Sequence, residues 1–193
     1  MKMMTARFLA LAMVLPVAAG EVEGEPDGAE AKCAAVFVSV GDAMPMSMLG
    51  EIASRVSSSL DVRIGTNATG KTTLSKLVDD TAPDPKPAVG KPAVAVFFRN
   101  SPGAPAVVAS PRRWAIVNIA PLSADNPAPP LLGERMAKVA LRGLAYASGS
   151  GATMDAHCLM SPACDTLKGL DAAPFAISPM AYIPMLEFLS PAD

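Results

Sequence analysis

The sequence predicts a single α/β (or α+β) domain, built on a mixed, mostly parallel sheet of about four to five strands with three main helices. Apolar runs of strand length alternate with two long stretches whose apolar residues recur at three-and-four spacing. Nineteen prolines gather in clusters between these segments, as at Thr81 to Pro87 and Ala120 to Pro130, and so mark loops rather than element interiors.

Residues 1–20 carry the parts of a secretion signal in order: Lys2 and Arg7, the apolar run Phe8 to Val17, then the small residues Ala18 and Ala19. That run is too short to span a bilayer. The chain is therefore expected to be exported, periplasmic or secreted, with no membrane contact after cleavage. Residues 21–32 are acidic and predict a flexible leader, which leaves 33–193 as one domain.

The elements follow in order. Ala34 to Val40 reads as a buried strand, and Asp42 is placed to cap a helix with Met48, Leu49, Ile52, Ala53, Val56 and Leu60 on its apolar face. Asp61 to Gly65 predicts a short strand, and Leu74, Leu77 and Val78 a short helix. Ala93 to Phe98, Ala106 to Ala109 and Trp114 to Ala120 are three further strands, expected to form a three-strand sheet. Leu131 to Ala147 is the second long helix, with Met136, Val139, Ala140, Leu144 and Ala147 on one face and Gly149 and Gly151 ending it. After Ser178-Pro179 a last helix covers Met180 to Leu189, where Pro184 should kink it or move its start.

Few residues offer chemistry. A net charge of −2 provides no basic field for nucleic acid. Export allows one disulfide among Cys33, Cys158 and Cys164, with the pairing open and one thiol left over. Gly65 to Thr72 matches the phosphate-loop pattern through Gly65, Gly70, Lys71 and Thr72. Neither later strand ends in a carboxylate to hold magnesium, so a polar turn with a solvated Lys71 is the reading preferred over a nucleotide-binding enzyme. The single histidine, His157, lies beside Cys158 and near Cys164, too thin a donor set for zinc. Gly149-Ser150-Gly151 follows a helix, so it reads as a helix terminator and not a nucleophile elbow.

The last third resembles the metzincin metallopeptidases, most closely the archaemetzincins. Trp114 to Ala120 takes the place of an edge strand, Leu131 to Ala147 of the active-site helix and Gly149 to Gly151 of the glycine turn. Cys158-Leu159-Met160 corresponds to the Cys-x-Met segment and Met180 to Leu189 to the closing helix, with Leu167 and Asp171 as further agreements. The resemblance implies a zincin-type fold in which Cys158 and Met160 form a structural methionine turn. It departs at the metal site. H-E-x-x-H supplies two imidazoles one turn apart and a glutamate that activates water. The best-matching stretch holds Leu141, Arg142 and Ala145 instead. The resemblance thus implies an inactive metallopeptidase scaffold with no cofactor, and together with the expected export it makes a peptide or protein the expected partner. A nucleotide-binding enzyme and a structural envelope protein are the alternatives.

Overall fold

A computed structural model describes residues 33–69, 93–99, 102–110 and 114–190. Its elements are β1 (Ala35–Val40), α1 (Met46–Leu60), β2 (Ile64–Thr69), β3 (Ala93–Phe98), β4 (Val107–Ser110), β5 (Trp114–Asn118), α2 (Ile119–Leu122) and α3 (Pro129–Ala147). A turn of 3-10 helix (Pro162–Asp165), α4 (Leu167–Ala172) and α5 (Pro179–Leu189) complete the domain. The five strands form one sheet in the order β2-β1-β3-β5-β4, parallel throughout except for β4, which runs antiparallel to β5.

Strand alternation divides the apolar residues between two faces. Ala35 and Phe37 of β1, Ala95 and Phe97 of β3 and Val117 of β5 are buried in the main core with α1, α3 and α5. Val40, Val96 and Ile116 turn to the other face, where Trp114 and Phe98 pack on them. Both faces of the central strands are therefore covered, which is why β1 and β3 read as near-continuous apolar runs. Phe37 and Phe97 fix neighbouring strands on the helical side with rings 5.4 Å apart.

Several sequence expectations shift. Pro45, not Asp42, stands at the N-cap of α1, because its extended backbone and fixed φ set the entry to Met46. The first edge of the sheet is β2, and on the opposite side Trp114–Asn118 lies inside, so that the outer strand is β4. The chain leaves β5 directly into α2, where the Asn118 side chain accepts the Ala120 N–H. Pro184 is accommodated within α5 without ending it. The expected helix around Leu74 to Val78 lies outside the described residues.

The phosphate-loop string is corrected by pairing. Gly65 through Thr69 belong to β2, in parallel register with Val36 through Val40 of β1. A phosphate cradle needs a curled loop whose amides converge, whereas these residues are extended and committed to a ladder. Gly70, Lys71 and Thr72 lie outside the described residues.

Helix α3 is buried without a break from Arg135 to Ala145. At Gly143 a Cβ would come within 2.8 Å of the Ala115 Cβ and 3.3 Å of Val107 Cγ2, so the missing side chain lets the helix rest on β5 and β4. At Gly133 a Cβ would meet nothing within 4 Å. Urea unfolding should give opposite signs for the two: Gly133→Ala stabilises by about 0.5–1 kcal/mol through helix propensity. Gly143→Ala destabilises by about 1–2 kcal/mol, because overpacking outweighs that gain. Equal shifts would show that α3 does not rest on the sheet at Gly143.

Candidate functional site

The polar face of α3 presents Arg135, Lys138 and Arg142, each only 2% exposed. Spacing of three and four residues aligns them in one stripe, and the segment from residue 158 to 172 supplies half of their partners, Cys164, Asp165, Leu170 and Asp171. Arg135 is held by two carboxylates. Asp171 accepts from Nε at 2.7 Å and Nη2 at 2.6 Å, while Asp125 accepts from Nη1 at 2.6 Å and Nη2 at 2.9 Å. A further bond from Nη1 reaches the Leu122 carbonyl at 2.9 Å. The Arg135 guanidinium in turn holds the Asp171 and Asp125 carboxyls below the usual carboxylate range. Lys138 donates to Glu134 at 2.8 Å and to the Leu170 carbonyl at 3.0 Å.

Arg142 donates from Nη1 to the Cys164 carbonyl at 2.9 Å, and from Nη2 to Asp165 at 2.7 Å and the Tyr146 hydroxyl at 3.2 Å. Its guanidinium also stands over the Tyr146 ring, 5.7 Å from the centroid. Burial works against its charge, and Asp165 and Tyr146 more than restore it, so its pKa is raised. Leu141 and Ala145, by contrast, are buried in the apolar core. The pair one turn apart whose polar heads meet is therefore Arg142 and Tyr146, one residue along from Leu141 and Ala145. Tyr146 was missed because its spacing to Arg142 carries no recognisable motif.

Cys158, Leu159 and Met160 are fully buried. The Cys158 Sγ accepts backbone N–H bonds from Met160 at 3.3 Å and Ser178 at 3.1 Å. Leu159 N–H donates to the Ala176 carbonyl at 2.8 Å, and the Met160 carbonyl accepts from Thr153 at 3.0 Å. Met160 belongs to the same buried core as Leu141 and Leu144 of α3. The three cysteines are free thiols, which departs from the disulfide the sequence allowed. Cys158 is engaged with the backbone instead, and burial pushes the Cys164 thiol up. His157 is exposed, with its backbone N–H bonded to Asp155.

Beside Arg142 opens a cleft of about 400 Å³ whose lining includes Gly103, Pro105, Val107, Pro121, Asp165 and Leu167.

No protein-family model matches the sequence, and no curated protein is significantly similar to it. Solved structures do share its fold. A zinc-dependent peptidase from Methanocorpusculum labreanum superposes with a TM-score of 0.63 at 14% identity, over 78% of this chain and 99% of that one. The archaemetzincin of Methanopyrus kandleri gives 0.61 at 21% identity, over 80% and 95%. That of Archaeoglobus fulgidus gives 0.57 at 11% identity, over 77% and 98%. The domain thus has an archaemetzincin-like fold.

The residues present do not fit the zinc ion such a fold implies. Leu141 and Ala145 have no lone pair to donate, and Arg142 brings a cation to the face where Tyr146 meets it. Among the described residues, no group of three or more His, Cys, Asp or Glu side chains gathers in a way that could hold a metal.

The carboxylates on Arg135 set an acid limit to stability. A carboxyl with a depressed folded pKa stabilises above its unfolded value, near 4, and that contribution disappears as pH falls through the folded value. Asp171→Asn should cost about 1 kcal/mol at pH 7, and the gap from the unmodified protein should close below about pH 4. Thermal melts between pH 2 and 7 measure this. A constant gap across that range would remove Asp171 from the account.

Proposed function

We propose that the chain is an exported, catalytically inactive protein of zincin-type fold that binds a peptide along the β4 edge. The observation that carries this reading is the Arg142–Tyr146 pair on α3, one turn apart and joined through Nη2 and the phenol. An arginine there is always protonated and donates only hydrogen bonds, so it opposes a metal cation and favours an anionic or polar ligand. The signal-like residues 1–20 support export.

The geometry of β4 supports the peptide. Asn118 N–H donates to the Ala106 carbonyl, and Val108 stands opposite Ile116, so the residues that exchange bonds with β5 are 106 and 108. Antiparallel alternation then turns the N–H and C=O of Val107 and Ala109 away from β5, toward the open side of the sheet. An extended peptide adds to such a row by backbone pairing, with alternate side chains settling into neighbouring pockets.

Four measurements test the proposal. The N-terminus of the exported protein should begin near residue 20. Mass spectrometry of the mature protein should find no zinc at one per chain, and peptidase assays should show no hydrolysis. Ala109→Pro removes an outward donor while sparing the ladder to β5, so it should leave the melting curve in place and weaken peptide binding about tenfold. One zinc per chain with peptide cleavage would overturn inactivity, and unchanged binding in the proline variant would overturn the β4 edge.

A further inference from the structure

Arg135 and Arg142 lie seven residues apart on one face of α3, yet their guanidinium groups are not equally filled. Asp171 meets Arg135 side-on, bridging Nε and Nη2. On Arg142, Nη1 is taken by the Cys164 carbonyl and Nη2 by Asp165 and Tyr146, whereas Nε is buried with no partner. Native interiors rarely leave a charged donor in that state. The Arg142 side chain is only 3% exposed, and it lines the cleft of about 400 Å³.

Among the described residues, the other charged side chain lining the cleft is Asp165, and its position makes it displaceable. Its side chain is 68% exposed, so returning the carboxylate to water costs little. Its withdrawal would free one Nη2 hydrogen beside the unpartnered Nε while Tyr146 keeps the other, opening on Arg142 the edge that Asp171 occupies on Arg135. That edge matches a carboxylate bidentately.

We propose that the cleft is a carboxylate site, in which the free C-terminus of a bound peptide docks side-on against the Nε–Nη2 edge of Arg142. This rests on the peptide reading above and names its ligand class. Val107 both opens β4 and lines the cleft. A peptide running antiparallel to β4 therefore brings its C-terminus to the Arg142 end. Pro105, Val107, Pro121 and Leu167 then offer apolar walls to the last side chain. Asp165 acts as an internal competitor that holds the site closed until a stronger carboxylate arrives.

The test uses the full mature chain labelled with nitrogen-15, with the arginine Nε–H resonances followed by NMR. The probes are a pool of random hexapeptides with free C-termini, the same pool as C-terminal amides, and acetate alone. The free acids should bind about tenfold more tightly than the amides and shift the Arg142 resonance. Asp165→Ala, a change at an exposed side chain, should raise the affinity for the acids severalfold, and Arg142→Gln should abolish the difference between acid and amide. Equal binding of acids and amides with an unmoved Arg142 resonance overturns the carboxylate site while leaving the peptide reading intact. A shift with acetate but with neither peptide pool supports the carboxylate site and overturns the peptide as its source. Silence from all three probes overturns both, and an unchanged acid affinity in Asp165→Ala overturns the competitor.

Discussion

Burial of three cations along one helix is the constraint on which the C-terminal half of this domain depends. A helix that carries Arg135, Lys138 and Arg142 on a single face would ordinarily leave them in water. Here the segment from Cys158 to Ala172 folds over that face and must bring hydrogen-bond acceptors with it, because unpaired charges cannot be dehydrated at bearable cost. The acceptors arrive as the carboxylates of Asp165 and Asp171 and the carbonyls of Cys164 and Leu170. The path of the chain between residues 158 and 172 is thus set as much by polar matching as by apolar packing.

Two local features make that path feasible. Thr166 caps α4 by accepting the Gly169 N–H, and a side chain at Gly169 would collide with the Ala163 carbonyl at 1.8 Å. Only glycine allows the 3-10 turn and α4 to approach so closely, and this approach carries Asp165 to Arg142 and Asp171 to Arg135. Upstream, Cys158 anchors the turn by accepting two backbone N–H bonds, a role that uses the thiol as a buried acceptor without asking for its reactivity. Fold and site are coupled through this segment: the contacts that close the core also form one wall of the cleft.

The fold was largely legible. Three-and-four periodicity located α1 and α3, apolar runs of strand length located β1, β3 and β5, and the Ser178-Pro179 start located α5. Less legible was the assignment of neighbours. The resemblance gives Trp114 to Ala120 the place of an edge strand, and only pairing shows β4 outside it. The phosphate-loop string shows the same weakness from the other side, since a pattern of residue types does not say whether Gly65 to Thr69 curls or extends. Hydrogen bonding to β1 decides that question.

The sequence by itself determined that Leu141, Arg142 and Ala145 bring no metal-donor side chain to the central helix, because none of the three has one in any conformation. It also determined the apolar face of α3, which follows from composition and period alone. Only the tertiary structure decided the fate of the opposite face. Periodicity treats every charged residue as solvent-facing, so it cannot reveal that Arg135 is saturated by two aspartates or that Arg142 keeps one buried donor beside a cleft. Those facts depend on partners that lie ten to thirty-six residues away in sequence, brought within hydrogen-bond range by the fold of the whole domain.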